Sequence, residues 1–473
     1  MAENRTLPVV ALLGLLAACT GTNIVPPFLA DVNGAAAPAA PVGSTAIFQG
    51  AAFGTTQGSG QVLFTNALGF AALAAPIANA SDWTVSVIVT KVPAGAISGP
   101  VTVQANGLAG NAIVFTVGPT PNDPASFTPS AVNWAAGANL PSALSGAGVA
   151  FAQTTGYVYT VGGAGSGGTP VTTVNYAPVG MTGTIGAWNP TTALPTGVTS
   201  AGTVVATHAN SAVLSPTGYL YVLGGATSSS GASTALVYRA TINANGTIGP
   251  WTAATALPAA LHAFGATIQY GSLYVAGGAN SGNAPQTAVY RSPIQQDGSL
   301  GSWRTEVFPL PAPRARLGFG ASGLYLYVVG GDGSAVTPND SVPSSAQVTT
   351  VYFAKLHPNT REVTTAWTPT TTLPDARSAQ TAVFGAGNVL LTGGLYSGAS
   401  GHANEGISAP LNADGTVGTF TTAGNTIYSI CGCNLFNHSA TGYVDGNGAF
   451  HVLIVGGDDV SAPGTRRVET FTY

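Results

Sequence analysis

Short runs of alternating apolar and polar residues make up most of the chain, and glycine, asparagine, serine and proline separate them. Between residues 42 and 118 such runs lie at 45–48, 61–65, 83–90, 99–105 and 111–117. A period of two places successive side chains on opposite faces of an extended strand. Short strands spaced about 8 to 12 residues apart are typical of a β-sandwich. We therefore predict a β-sandwich over residues 42–118.

A second pattern fills residues 131–473, where an apolar or aromatic run that ends in Gly-Gly occurs six times. These runs lie at 157–163, 219–225, 273–278, 325–331, 389–394 and 451–457. A second short strand follows each run, then a turn with an aromatic residue, then Leu-Pro, as at Trp251 and Leu257-Pro258. A repeat of about 50 residues with four short strands is typical of one β-propeller blade. We therefore predict a six-bladed propeller over residues 131–473.

The two ends of this region predict how the ring of blades closes. Residues 132–134 match the outer strand that carries the tryptophan in other repeats, and residues 468–473 match the strand before it. We expect residues 131–134 to pair beside residues 467–473, so that the N- and C-terminal strands complete one blade. Each Gly-Gly pair is expected to adopt backbone angles that other residues avoid. Each recurring tryptophan is expected to pack its blade on a neighbour.

Both regions also resemble known families. Residues 50–56, 92–96, 99–103 and 111–117 resemble the IPT/TIG immunoglobulin-like family, whose modules serve mostly as spacers or protein-contact modules. The six ordered repeats resemble kelch repeats, a group that includes galactose-oxidase-like propellers. Together these resemblances imply an all-β chain. An immunoglobulin-like β-sandwich would be followed by a six-bladed kelch-type β-propeller closed by pairing of its N- and C-terminal strands.

The N-terminal segment predicts where the protein is delivered. Residues 7–18 form an apolar run that is shorter than the roughly 20 residues a bilayer requires and has the length of a signal-peptide core. The run ends in Leu16-Ala17-Ala18-Cys19, which resembles the lipobox of bacterial lipoproteins. The resemblance implies a signal peptide over residues 1–18 and lipidation of Cys19. The N-terminal lipid would then anchor the chain in the membrane, extracytoplasmically, at the outer membrane or cell surface.

Two segments lack strand periodicity and are predicted to connect the other parts. Residues 19–41 are rich in proline, alanine and glycine, and we interpret them as a flexible tether. Residues 119–130 contain four prolines and are interpreted as a stiff linker. The chain is therefore expected to consist of signal peptide, tether, sandwich, linker and propeller.

Charge is sparse along the whole chain. Only 6% of the residues are charged, and the formal net charge is −4. The 12 Lys and Arg residues are scattered singly, so no cluster could neutralise a run of phosphates. We therefore expect no nucleic-acid partner.

Few residues suggest catalysis. The six histidines show no spacing typical of metal ligands, so neither a metal nor another cofactor is predicted. Cys431 and Cys433 flank one glycine and are interpreted as a disulfide candidate. A redox role or soft-metal binding by this pair stays open. The turn at residues 297–303 resembles the Asp-box of sialidases, which is structural in that family. No catalytic residue is assigned.

The loops after Gly-Gly vary most in length, and we predict that they form a contact face for a protein or glycan. For each candidate residue a loop-stabilising role also stays open. The candidates are Arg314, Arg377, Asp332, Tyr396, His402, Asp458 and Asp459. Two other functions remain open: a carbohydrate-active enzyme of the kelch mutarotase or galactose-oxidase-like kind, and an architectural subunit of an envelope assembly.

Overall fold

The computed structural model is all-β. Its described residues form strands, connections and a single 3-10 turn at Ala80–Asp82, with no α-helix among them. Within these ranges, no helix is long and apolar enough to cross a membrane. The described residues are 26–117 and 135–472, except 33–37, 41–42, 66–70, 95, 97–98, 181, 207–214, 216, 296, 339, 358–359, 386, 397–405, 413, 423–434, 445–449 and 460–463.

The N-terminal unit (residues 28–117) consists of two sheets. Its strands are β1 (Phe28–Val32), β2 (Ala39–Ala40), β3 (Thr45–Ala51), β4 (Gln61–Thr65), β5 (Ala71–Ala74), β6 (Val87–Lys91), β7 (Gly99–Ala105) and β8 (Leu108–Val117). One sheet has the order β1-β3-β6 and the other β2-β8-β7-β4-β5, and only β2 and β8 are parallel. Between them Phe64 makes edge-on contacts with Phe48 and Phe115, at ring-centroid distances of 5.8 and 5.1 Å. These rings form the core of the unit.

The prediction of a flexible tether over residues 19–41 is wrong for β1 and β2. Leu29 and Val32 are buried in the core of the N-terminal unit. The Leu29 N–H donates to Asn111 Oδ1 at 2.6 Å, and Asn111 Nδ2 donates back to the Leu29 carbonyl at 2.8 Å. Because the partner strands β3 and β8 lie outside this segment, its composition alone did not reveal the pairing. Strand β5 was also missed.

Residues 135–472 form the six-sheet unit. Its first strands are β9 (Ala135–Ala136), β10 (Gly148–Ala152), β11 (Tyr157–Val161), β12 (Val174–Pro178), β13 (Asn189–Pro190), β14 (Gly202–Ala206), β15 (Tyr219–Leu223), β16 (Val237–Thr241), β17 (Thr252–Ala254), β18 (Gly265–Gln269), β19 (Ser272–Ala276), β20 (Val289–Pro293) and β21 (Arg304–Thr305). The remaining strands are β22 (Gly318–Ser322), β23 (Tyr325–Val329), β24 (Val351–Lys355), β25 (Thr368–Pro369), β26 (Arg377–Ser378), β27 (Thr381–Gly385), β28 (Asn388–Thr392), β29 (Leu395–Tyr396), β30 (Gly406–Pro410), β31 (Thr421–Thr422), β32 (Leu435–Phe436), β33 (Ser439–Val444), β34 (Phe450–Val455), β35 (Asp458–Asp459) and β36 (Val468–Thr472).

Most of these strands build six four-stranded antiparallel sheets, numbered here in chain order, while β26 pairs with β29 and β32 with β35 in two small two-stranded sheets. The six sheets are β10-β11-β12-β13, β14-β15-β16-β17, β18-β19-β20-β21, β22-β23-β24-β25, β27-β28-β30-β31 and β33-β34-β36-β9. The first strands of neighbouring sheets contact one another in cyclic order, including β33 with β10. In sheet 6, Glu469 of β36 lies opposite Ala136 of β9. The N- and C-terminal strands of this unit therefore share one sheet, whereas the predicted partner segment 131–134 lies outside the described residues.

All six Gly-Gly pairs adopt positive φ, from 51° to 62° at the first glycine and from 91° to 110° at the second. The N–H of each second glycine donates to a carbonyl of the next repeat, at 2.8 to 2.9 Å. A Cβ atom on each first glycine would lie within 3.0 Å of the same carbonyl. The accepting carbonyls belong to Val198, Leu261, Arg314, Arg377, Leu435 and Leu144. Glycine is required at these positions for both its backbone angles and its lack of a side chain.

The recurring tryptophans connect neighbouring sheets. The indole N–H of Trp188 donates to the Ala138 carbonyl at 2.8 Å, beside the outer strand of sheet 6. Trp251, Trp303 and Trp367 make the corresponding bonds to Thr192, Thr255 and Phe308, at 3.0, 2.9 and 3.0 Å. Each acceptor lies two residues before the leucine of a Leu-Pro pair. Tryptophan and Leu-Pro are therefore two halves of one contact between sheets.

The N-terminal unit packs against one face of the six-sheet unit. Ile47 and Val87 lie in one apolar cluster with Tyr270, Tyr274 and Phe319. Tyr270 is in the turn between β18 and β19, at the opposite end of these strands from Gly-Gly. We call this the hairpin face, and the opposite face, which carries the connections after Gly-Gly, the Gly-Gly face. The N-terminal unit therefore contacts the hairpin face.

Candidate functional site

A closed cycle of six backbone hydrogen bonds lies at the Gly-Gly face, and we call its six residues the axial ring. Each N–H donates to the carbonyl of the ring residue in the neighbouring sheet, at 2.8 to 3.3 Å. The donors and acceptors run Gly146 to Asn437, Asn437 to Ala379, Ala379 to Arg316, Arg316 to Ala263, Ala263 to Ser200 and Ser200 to Gly146. Every sheet therefore contributes one residue to this cycle.

All six ring residues adopt left-handed backbone angles, with φ between 51° and 57°, although only Gly146 is a glycine. Such angles cost a residue with a side chain about 1 to 2 kcal/mol. They persist where the surrounding structure imposes them, and they are concentrated at functional sites. In the axial ring the cycle of hydrogen bonds imposes these backbone angles, since each ring residue uses both its N–H and its carbonyl in it. The ring is the rigid floor of the candidate site.

One connection at the Gly-Gly face is longer than its counterparts, and we call it the axial loop (residues 333–346). It lies between Asp332 and Gln347, which pair as an isolated bridge, whereas the corresponding bridge in sheet 3 joins Ala279 and Pro285. Asp332 Oδ1 accepts hydrogen bonds from the N–H and Oγ of Ser334, at 2.8 and 2.7 Å, and from Ser344 Oγ at 2.8 Å. The two ends of the axial loop are therefore held together at its base.

The middle of the axial loop lies over the third and fourth sheets. Val336 is 1% exposed and packs with Ala279 and Ala315. Its N–H donates to the Asn283 carbonyl at 3.0 Å. Its carbonyl lies 3.2 Å from His262 Nε2. The side chain, the N–H and the carbonyl of Val336 are thus all in contact with the third and fourth sheets.

His262 is fully buried under this loop. Its Nδ1 lies 2.8 Å from Ser233 Oγ, and its Nε2 faces the Val336 carbonyl. Because a carbonyl only accepts, Nε2 carries a proton. In the neutral imidazole Nδ1 is then an acceptor, and it shares the Ser233 hydroxyl proton with the Gly231 carbonyl, which lies 2.9 Å from Ser233 Oγ. Burial lowers the pKa of His262, which favours this neutral form. His262 therefore recognises peptide backbone without contributing charge.

Arg316 belongs to the axial ring and binds the loop through its side chain. Its Nη2 donates to the Thr337 carbonyl at 2.6 Å and lies 3.7 Å from Asp340 Oδ2. Only 8% of Arg316 is exposed. Burial lowers its pKa, and three carboxylates act in the opposite direction, those of Asp340, Asp332 and Asp458. The guanidinium is therefore a buried cation that binds one carbonyl and one nearby carboxylate of the axial loop.

Asn437 links this region to the sixth sheet. Its Nδ2 lies 3.5 Å from the Asp340 carbonyl and 3.0 Å from Asp458 Oδ2. Asp458 also accepts from Ser145 Oγ at 2.6 Å and from the Gly464 N–H at 2.7 Å. The carboxylate of Asp458 is thus surrounded by donors of its own repeat and the next one, and it stabilises the side of the site.

The two predicted arginines lie inside the fold. Arg314 is 2% exposed, its Nη1 donates to the Gly330 carbonyl at 3.1 Å, and its guanidinium lies 5.0 Å from the ring centroid of Tyr352. Arg377 is 0% exposed and contacts Asp375 at 3.7 Å and the ring of Tyr396 at 6.0 Å. Both backbone carbonyls accept a Gly-Gly hydrogen bond. The structure gives these arginines a role in joining sheets, and their contact with a ligand stays a prediction.

Among the other predicted residues, Tyr396 lies in β29 opposite Arg377, and the rest divide into three groups. Asp332 and Asp458 lie at the site, at the base of the axial loop and beside Asn437. Asp459 is in β35, where its backbone pairs with Leu435, and its side chain is outside the described part of the chain. Cys19, His402, Cys431 and Cys433 lie outside the described residues altogether, as does the predicted linker 119–130.

Sequence reasoning missed Arg316, Asp340 and His262. Arg316 follows Arg314 by two residues in a segment where the other repeats carry glycine, serine, alanine or asparagine. A comparison of the repeats at this position would have singled out the only charged ring residue. His262 also follows an accepting carbonyl, that of Leu261, and could have been found in the same way.

The arrangement offers groups that can bind a peptide segment. Its described groups present an apolar surface, a neutral imidazole that donates to a carbonyl, and a guanidinium that meets a carbonyl and a carboxylate. Among the described residues no group of three or more His, Cys, Asp or Glu side chains could hold a metal ion.

The turns that resemble Asp-boxes lie away from this site. Asp297 Oδ1 accepts from the Ser299 N–H and Oγ, at 2.9 and 2.7 Å, and these bonds lower its pKa. Asp414 makes the same contacts with Thr416, at 3.0 and 2.7 Å. These carboxylates therefore close turns.

Comparison of the sequence with models of protein families finds no match, and comparison with curated proteins finds none either.

Proposed function

We propose that this chain is an extracytoplasmic, lipid-anchored binding protein, whose Gly-Gly face contacts a protein or glycan. In this proposal the six-sheet unit is a six-bladed kelch-type β-propeller, and the N-terminal unit is an IPT/TIG-like immunoglobulin-fold spacer. The cyclic contacts of the first strands and the shared sheet of β9 and β36 support the propeller. The two facing sheets support the spacer, and Leu16-Ala17-Ala18-Cys19 supports the lipid anchor.

The observation that carries the binding function is the difference between the two faces. The hairpin face is in contact with the N-terminal unit, whereas the Gly-Gly face carries connections of unequal length above the rigid axial ring. Exposed positions in these connections include Ser229, Ser281 and the 74% exposed Val342. Short polar side chains with an occasional apolar one suit contact with another molecule, since loops on a rigid scaffold commonly carry binding residues.

Lipid attachment is tested by radiolabelled palmitate incorporation into the full chain and into Cys19→Ala. Labelling of the wild type alone supports the anchor, and equal labelling of both contradicts it. Protease treatment of intact cells then reports whether the chain is exposed at the surface.

Binding is tested with the purified lipidated chain in detergent on a glycan array and on immobilised envelope proteins. Ser229→Arg places a bulky charge on the Gly-Gly face, and Ser302→Arg places the same charge at an exposed position near the outer strand of sheet 3. We expect the first variant to lose a ligand that the second keeps. Equal binding by both would contradict use of the Gly-Gly face, and one copper per chain would favour the oxidase alternative.

A further inference from the structure

We propose that the surface above the axial ring is a binding site for an acidic peptide, and that the chain's own axial loop occupies it. The proposal deepens the proposed binding function and rests on it. The ligand is identified by the groups that the site binds in the loop: a small branched apolar side chain, two successive backbone carbonyls and a carboxylate.

The first part of the argument is the seat of Val336. Its side chain fills a surface of small residues, Ala279 and Ala315, with Ala263 of the axial ring packed against them. Small side chains leave room for one branched residue, and burying it excludes water from the polar groups beside it. Asn283 accepts the Val336 N–H. Such a seat selects a residue of about the size of valine.

The second part of the argument is that side chains of the site bind backbone carbonyls of the axial loop. His262 Nε2 donates to the Val336 carbonyl and Arg316 Nη2 donates to the Thr337 carbonyl, so successive peptide groups are held by side chains of different sheets. Both donors are buried under the loop, and both would face an open surface without it. Side-chain donors that bind main-chain carbonyls do not distinguish between peptide sequences, whereas the neighbouring contacts provide selectivity.

The third part is charge. Asp340 lies 3.7 Å from Arg316 Nη2, and its carbonyl faces Asn437 Nδ2 at 3.5 Å. Thr337 and Asp340 also bind each other, through the Thr337 N–H at 2.6 Å and its Oγ1 at 2.5 Å, so the bound segment is turned to bring the carboxylate toward the cation. Asp332 and Asp458 also act on Arg316, but their own donors are Ser334, Ser344, Ser145, Asn437 and Gly464. The site therefore takes one further carboxylate.

The fourth part explains why the loop is a ligand rather than a required connection. The bridge from Asp332 to Gln347 corresponds to the bridge from Ala279 to Pro285 in sheet 3, which is closed by residues 280–284 alone. A short connection therefore suffices to join the two strands. A segment tethered so closely has an effective concentration in the millimolar range. A partner peptide then competes only if it binds more tightly or if the loop has been displaced.

The experiment replaces residues 333–346 of the full chain with Asn-Ser-Gly-Asn-Ala, the connection that sheet 3 already uses. A fluorescein-labelled peptide with the sequence of residues 334–342 is titrated to about 1 mM and followed by fluorescence polarisation. We expect saturable binding to the short-loop chain and roughly tenfold weaker binding or none to the wild type. The same peptide with asparagine at the position of Asp340 is expected to bind roughly tenfold less, because the carboxylate that lies 3.7 Å from the buried Arg316 Nη2 is removed.

Two arginine variants of the short-loop chain provide matched controls. Arg316→Met is expected to weaken peptide binding roughly tenfold or more, whereas Arg304→Met, at an exposed position in β21, should leave it unchanged. If the short-loop chain keeps its circular-dichroism spectrum and melting temperature but binds no peptide, the proposal is wrong. Peptide binding that is equally weakened by both arginine substitutions would also overturn it, because the contact would then be unspecific.

A second variant keeps the proposal testable if the short-loop chain does not fold. Val336→Gly with Asp340→Asn retains the full loop and removes two of its holds on the site. This chain should bind the labelled peptide more tightly than the wild type does, and unchanged binding would overturn the proposal. Failure of these titrations alongside retained binding at the Gly-Gly face on arrays would leave the proposed function standing, since that assay uses the intact loop.

Discussion

The contact between Gly-Gly and the next repeat predicts a large and specific effect of one methyl group. Gly277 has φ of 62°, and a Cβ atom there would lie 2.6 Å from the Arg314 carbonyl. Gly323 has φ of 52°, and nothing lies within 4 Å of its Cβ position. Alanine at either position meets the same backbone penalty. Only at Gly277 does it also meet the neighbouring repeat.

The difference can be estimated from these contacts. The left-handed backbone costs alanine about 1 to 2 kcal/mol, and the smaller entropy of the unfolded chain returns about 0.4 to 1 kcal/mol. Gly323→Ala is therefore expected to destabilise the fold by about 1 kcal/mol. In Gly277→Ala the Arg314 carbonyl must move, which breaks its 2.9 Å bond from the Gly278 N–H and loses about 1 kcal/mol. Overpacking adds about 1 to 3 kcal/mol.

The assay is denaturant unfolding of both variants and the wild type, followed by circular dichroism, with melting temperatures from calorimetry as a second measure. We expect Gly277→Ala to be about 2 to 4 kcal/mol less stable than Gly323→Ala. Equal stabilities would refute the reasoning, because they would show that the backbone angle alone accounts for glycine at these positions.

Three further predictions concern other parts of the six-sheet unit. Burial lowers the pKa of His438 to about 3, below its ordinary value of 6.5, so the unfolded chain binds more protons between these values. The folded state therefore loses stability as pH falls below about 6.5, by up to about 1.4 kcal/mol per pH unit. Urea unfolding at pH 7 and pH 5 should show this loss. The loss should be smaller in His438→Gln. Arg314→Leu should fold with a stability within about 2 kcal/mol of wild type, since apolar residues can replace buried charges. Arg314→Ala should lose more stability. Calorimetry that ranks the two variants in the opposite order would contradict a packing role of Arg314 between sheets. Deletion of residues 467–473 removes β36 from between β34 and β9, and a calorimetric transition unchanged from wild type would contradict its role in joining the two ends.

The sequence predicted the strands well where periodicity and turns coincide. Strands β4 and β7 have the predicted bounds, and every predicted Gly-Gly pair has positive φ. Strand β1 was missed because its partner strand β3 lies outside the segment and because its five residues, FLADV, do not alternate between apolar and polar. Pairing between distant segments is a property of the whole unit, which local pattern cannot reveal.

The candidate site was predicted only at its margin. Arg314 and Arg377 each follow a Leu-Pro proline by three residues, yet this position is occupied by Val198 and Leu261 in other repeats and is buried in all of them. A residue at this position is packed against the Gly-Gly pair of the neighbouring repeat, whose second N–H donates to its carbonyl. Asp332 was found because it opens a long loop. The importance of Arg316 depends on the closed cycle of backbone bonds, which becomes visible only in three dimensions.

Some residues nevertheless depart from the repeat pattern in the sequence, and they lie on the hairpin face and on the Gly-Gly face. On the hairpin face, the Tyr221 and Tyr443 hydroxyls donate to the carbonyls of Gly298 and Gly183, the glycines of neighbouring turns, each at 2.6 Å. Tyr274 makes the equivalent bond at 2.5 Å to Arg361, which holds the glycine's place at φ of 62°.

A large residue is also replaced by a small one in the strand that carries Tyr274, the partner of Arg361. Turn glycines face the aromatic rings of Tyr157, Tyr219, Tyr325 and His451 at the start of second strands, whereas the equivalent position in β19 is Ser272. The buried guanidinium is thereby accommodated, and Asp31 of the N-terminal unit acts on it electrostatically. The same repeat carries the axial loop on its other face. Because identical repeats would suffice to build six sheets, the exchanges in the neighbouring third and fourth sheets mark the side of the unit that contacts the N-terminal unit on one face and the axial loop on the other.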